Sequence, residues 1–158
     1  MRYRYLLLTC AFAVACDPMA GVQVQTRFAP SPEQPCIRSV VTQSTLLDRV
    51  DTIVRSGSER RWPVHLYNAS FKSIKELGPA AVSLGSLPGD SSSVLTVLFS
   101  WPGRLAGYPD SVRRAAARHG NELLRELQSA CGRPPSTPIE CEEYEFIWTR
   151  RACDPGAT

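Results

Sequence analysis

Six cysteines, two histidines and one dense run of glutamates are the residues of this 158-residue chain whose types and spacing could carry chemistry. The cysteines are Cys10, Cys16, Cys36, Cys131, Cys141 and Cys153. No cysteine or histidine pair has the short spacing of paired zinc ligands. His65 falls in a strand-like run beside Tyr67, where a surface role is the default, and His119 falls on the apolar stripe of a long helical segment, which suits packing better than catalysis. Gly85-Ser86-Leu87-Pro88-Gly89 puts its serine directly after the first glycine, which is not the strained G-x-S-x-G turn of a serine hydrolase. Phosphate-loop and dinucleotide fingerprints are absent from the sequence. No catalytic residue, metal ligand or cofactor site is therefore expected.

The glutamates are Glu140, Glu142, Glu143 and Glu145, interleaved with Tyr144, Phe146 and Trp148. One reading is a solvated strand face backed by an aromatic core face. The other is an acidic, aromatic-rimmed surface for a basic protein partner, with Glu142, Glu143 and Glu145 making the contacts. Glycoside hydrolysis would need one carboxyl of a pair raised by an apolar pocket, and alternation alone does not supply that.

Two helices and five strands must position these residues. Ser31-Pro32-Glu33-Gln34 has the form of a capping box. Cys36, Ile37, Val40 and Val41 follow at helical spacing, which predicts a first helix over 32–44. Strand-like runs follow over 49–56, 61–71, 80–87 and 93–101, separated by Gly, Pro and Ser clusters. The last of these carries Leu95, Val97, Phe99 and Trp101 on one face. Residues 109–131 form the longest periodic segment, with Val112, Ala116, His119, Leu123, Leu127 and Ala130 in one stripe; Gly132 and Pro134-Pro135 end it. Residues 139–149 alternate again as a fifth strand.

These elements predict an α+β domain: an antiparallel sheet of four to five strands, two helices packed on one face, and two disulfides. Antiparallel helices bring Cys36 and Cys131 to the same end. Four cysteines allow three pairings. Cys36–Cys131 with Cys141–Cys153 is the favoured one, and its second bridge requires the chain to turn near 147–150.

The N-terminus decides how those cysteines are read. Arg2 and Arg4 precede an apolar run over 6–14, and Ala13-Val14-Ala15 supplies small residues for cleavage. The run is shorter than the roughly 20 apolar residues a membrane span needs. Ala13-Val14-Ala15-Cys16 resembles the lipobox of bacterial lipoproteins, although Ala13 stands where Leu is usual. The resemblance implies cleavage before Cys16 and acylation of Cys16. Cys10 then leaves with the signal, and the remaining four cysteines can pair in an oxidising compartment. The formal charge of +3 falls to +1 without Arg2 and Arg4, so neither a nucleic-acid partner nor a polybasic membrane patch follows.

The expected organisation is a signal peptide over 1–15, a lipidated cysteine and tether over 16–30, and one domain over 31–158. Val22 to Phe28 alternates and leaves two readings of the tether open, a disordered spacer or an added edge strand. The leading functional expectation is a non-enzymatic envelope lipoprotein facing the periplasm, held to the membrane by its N-terminal lipid and available to a protein partner. The alternatives are a lipid-anchored inhibitor or immunity protein, and a small periplasmic hydrolase that would gather His65 or His119 with a carboxylate.

Overall fold

The computed structural model describes residues 19–56, 63–72, 79–86, 92–131, 138–145 and 149–153. The segment expected to be a signal peptide, Cys16, Phe146 and Trp148 lie outside them.

The sheet has seven strands: β1 (Met19–Phe28), β2 (Leu47–Ser56), β3 (Pro63–Phe71), β4 (Pro79–Ser86), β5 (Ser93–Pro102), β6 (Glu140–Glu145) and β7 (Thr149–Ala152). They lie in the order β2-β3-β4-β5-β1-β6-β7, and every neighbouring pair is antiparallel. Two helices, α1 (Gln34–Gln43) and α2 (Asp110–Cys131), complete the fold. The expected class is therefore right, with two more strands than the sequence predicts. One of the two comes from the 139–149 segment, which is not a single strand: β6 and β7 pair as a hairpin, with Glu145 opposite Thr149 and Glu142 opposite Ala152.

The other is β1, and it corrects the tether. Residues 19–28 form neither a spacer nor an edge. β1 pairs with β5 over its full length and with β6 from Ala20 to Gln25. Its alternating residues Ala20, Val22, Val24, Thr26 and Phe28 are buried. A strand bonded on both sides with one face in the core is a central element, which the alternating pattern alone does not reveal.

The topology explains why both helices share a face. β1 and β2 run in the same direction and are joined through α1; β5 and β6 also run in the same direction and are joined through α2. The two crossovers start on oppositely directed strands and move oppositely across the sheet. One hand for both crossovers therefore requires both helices on one face. α2 lies over β1 and β5, close enough that a β-carbon on Gly120 would stand 2.8 Å from Val24 Cγ2 and 3.4 Å from Phe99 Cε2. The core between the layers is built from Val22, Val24, Ile37, Val41, Leu95, Val97, Phe99, Leu123, Leu124 and Leu127, all with no exposed area.

α1 starts later than the capping-box pattern predicts. Glu33 occupies the N-cap position without a side-chain cap bond, and its carbonyl accepts from the amides of Cys36 (3.1 Å) and Ile37 (3.2 Å). Pro35 is the reason. A helix capped by Ser31 would need the Pro35 nitrogen to donate to the Ser31 carbonyl, and proline has no N–H to give. Starting at Gln34 moves Pro35 into the first turn, where no donor is required.

Both favoured disulfides are present. Cys36–Cys131 joins the start of α1 to the end of α2 with Cα atoms 5.8 Å apart, and Cys141–Cys153 clasps the hairpin with Cα atoms 5.1 Å apart. The first closes a loop 95 residues long. On the chain-entropy account it stabilises the fold by about 4–5 kcal/mol.

Candidate functional site

The glutamate strand splits across the sheet. Along β6 the side chains alternate, so Cys141, Glu143 and Glu145 point to the helix side while Glu140, Glu142 and Tyr144 point to the open side. Val22 and Val24, opposite Glu143 and Cys141, fix which side is which, because both valines are in the core. The sequence expectation of an aromatic core face with glutamates opposite is thus reversed at Tyr144. Glu142, Glu143 and Glu145 do not form one surface.

Each of the three is also engaged within the chain. Glu142 lies 3.1 Å from Arg150 Nη1 on the open face. Glu145 lies 3.9 Å from Arg104 Nε. Glu143, with 22% of its side chain exposed, lies 3.1 Å from Arg113 Nε. That carboxylate is off the N–H axis, so the contact is an ion pair without a hydrogen bond.

Arg113 is the junction of this region. Its side chain is 20% exposed. Nη1 donates to the carbonyls of Leu105 (3.2 Å) and Tyr108 (3.5 Å), and Nη2 pairs with Asp110. One guanidinium therefore ties α2, the turn after β5 and strand β6 together. Its planar array of donors suits that role better than the point charge of a lysine.

On the open face, Tyr144 crosses over Gly21, its partner in register. Its hydroxyl lies 2.5 Å from Ser100 Oγ and donates toward the Phe99 carbonyl at 3.2 Å. Burial pushes the Tyr144 phenol above its usual 10.0, and the Ser100 hydrogen bond pulls partly the other way. Beside it, Gln23 donates to Gln25 (2.8 Å), and Gln25 donates to Glu140 (3.0 Å). The centre of this face is a hydrogen-bonded polar lattice.

His119 packs into the core between helix and sheet. It is 7% exposed and lies against the Phe71 ring, centroids 5.7 Å apart, with Phe71 in turn on Phe99 at 5.1 Å. Its Nδ1 is 3.0 Å from Glu122 Oε2, one helical turn away. This is a packed imidazole held by a neighbouring carboxylate. His65 lies on β3, in register with Val54 and Leu84. A second buried polar pair, Gln128 donating to Thr26 at 3.0 Å, pins α2 to β1.

Two recesses flank the helices. An open groove of about 710 Å³ runs between α1 and α2, lined by Val40, Leu46, Glu122, Arg125, Glu126 and Ala130 among others. Ser44 closes one side by donating to Glu126 at 2.6 Å. A smaller recess of about 260 Å³ lies between α2 and the β6–β7 hairpin. Sequence reading missed it, since Arg151 is far from Arg113 and Arg114 in the chain and only the fold brings it to them. No protein-family model, no curated protein and no solved structure matches this chain.

Proposed function

We propose that the chain is an envelope lipoprotein acylated at Cys16 and facing the periplasm, whose domain acts as a non-enzymatic interaction module. The observation that carries the reading is the cysteine pairing. Cys36, Cys131, Cys141 and Cys153 are all consumed in two bridges, so beyond the apolar run Cys16 is the one cysteine left for another fate. Two disulfides in a domain of this size also suit an oxidising compartment outside the cytoplasm. The open sheet face, with Gln23, Gln25, Glu140, Glu142 and Tyr144, supplies a polar contact surface of the kind a module uses. The division of Glu142, Glu143 and Glu145 between two faces, each near an arginine, speaks against an inhibitor that docks a basic enzyme on all three.

Acyl labelling and fractionation test the anchor. The wild type should take up labelled fatty acid and sediment with membranes, and Cys16→Ser should lose the label and leave the membrane fraction. A labelled Cys16→Ser protein, or a soluble wild type, would reject the proposal.

A further inference from the structure

The recess between α2 and the hairpin is lined by Arg113, Arg114, Ala117, Glu143, Arg151 and Cys153 together with Ala152. Three arginines and one glutamate therefore line it. That glutamate, Glu143, is already paired with Arg113. Among the described residues the side chains of Arg114 and Arg151 make no hydrogen bond or ion pair. Arg114 comes from the helix and Arg151 from the edge strand, where it stands in register with Glu143. Arg113, held by two carbonyls, Asp110 and Glu143, lines the same recess with its guanidinium already engaged.

We propose that this recess is an oxyanion-binding site that takes a phosphate group through Arg114 and Arg151. Two guanidinium forks approach from different elements. A tetrahedral group offers oxygens in both directions, whereas a planar carboxylate presents both of its oxygens to one side. The recess is also walled by the Cys141–Cys153 bridge, which holds Cys153 and the adjoining end of β7 against β6. Arg151 is therefore presented from a clamped strand end, and less ordering is left for the ligand to impose. The site is independent of the anchor and stands whether or not Cys16 is acylated.

Phosphate of this kind can come from a lipid headgroup or from a free phosphorylated solute. The test uses the full disulfide-intact chain carrying Cys16→Ser, so that no acyl group contributes. Inorganic phosphate is titrated by calorimetry or ³¹P line broadening. Flotation is then measured with phosphatidylcholine vesicles, with and without phosphatidate. Saturable phosphate binding should be weakened at least about tenfold by Arg114→Gln with Arg151→Gln, since a charge-assisted hydrogen bond is lost at each position. Arg125→Gln, elsewhere on α2, should leave it unchanged. Flotation that needs phosphatidate and is competed by phosphate assigns the headgroup as the source; saturation by phosphate without flotation assigns a soluble ligand. The proposal is overturned by absence of saturable binding to either probe, by a double variant that binds like wild type, by flotation that phosphate does not compete, or by an equal loss in Arg125→Gln.

Discussion

Gly21→Ala is the sharpest single perturbation of this fold. Gly21 sits in the central strand between Ser100 of β5 and Tyr144 of β6. An added β-carbon would overlap the Phe99 carbonyl oxygen and stand 2.5 Å from the Tyr144 hydroxyl and 2.7 Å from its Cζ. The phenol could swing away, but the carbonyl is backbone in the neighbouring strand and yields only if the ladder shifts. Overpacking of this kind costs about 1–3 kcal/mol. Displacing Tyr144 adds about 1 kcal/mol for its hydrogen bonds, giving about 2–4 kcal/mol in all. At about 2–4 °C per kcal/mol for a chain of this size, the melting midpoint should fall by roughly 5–15 °C. Urea unfolding followed by tryptophan fluorescence, with both disulfides intact, measures it. Introducing Gly21→Ala into a Tyr144→Ala background, which removes both the hydroxyl and Cζ, separates the two collisions, and Gly21→Ala should still destabilise in that background because the carbonyl remains. A Gly21→Ala protein within about 0.5 kcal/mol of wild type, or no cost of Gly21→Ala in the Tyr144→Ala background, would refute the close strand approach.

Tyr144 and His119 supply the further predictions. Tyr144→Phe should cost about 1 kcal/mol at neutral pH through its bonds to Ser100 and Phe99. The phenol is raised in the folded state, so the stability it contributes is present below pH 10.0 and is lost as pH rises through its folded value. The gap between wild type and variant in urea midpoint should therefore narrow on going from neutral to above pH 10.0; a constant or widening gap contradicts the assignment. His119→Leu keeps an apolar body against Phe71 and should change stability by less than about 2 kcal/mol. His119→Asp puts a second carboxylate beside Glu122 in a buried site and should cost about 3–5 kcal/mol. A His119→Leu protein that unfolds like wild type but loses its biological activity would move this residue from packing to chemistry.

The parts of the fold legible in the sequence are those set by local periodicity. α2 and β5 fall where their patterns put them, because a long apolar stripe and a clean alternation each have one low-energy arrangement. The cysteine pairing was legible through the antiparallel helices and the turn needed before Cys153. The place of β1 was not. Val22-Gln23-Val24-Gln25 says that one face is buried, and nothing in it says how many edges are paired. The side of Tyr144 was misread for a related reason. Period two sorts β6 into two sets without saying which set meets the helices, and the aromatic set looks like the core set. A better signal was present: Cys141 shares a face with Glu143 and Glu145, and α2 supplies Arg113 to satisfy one of them. The oxyanion recess had no local signal at all, since Arg114 and Arg151 meet only through tertiary packing.

The central position of β1 changes what the proposed anchor does. Only Asp17 and Pro18 separate Cys16 from Met19, the first residue of a strand that is bonded along its whole length. At about 3.5 Å per residue, acylation at Cys16 would hold the sheet on the order of 10 Å from the lipid. The end of the sheet where β1 begins would then face the bilayer. That end carries Met19, 45% exposed and the one large exposed hydrophobic among the described residues, together with Pro102 and the exposed Arg104. α2 begins after β5 leaves this same end, so Arg113 and Arg114 in its first turns stand near it. A domain held this way would stand with its strands pointing at the membrane, leaving the open polar face reachable from the side. It also keeps the guanidiniums of Arg114 and Arg151 within a short distance of the headgroup layer, where phosphate is most concentrated.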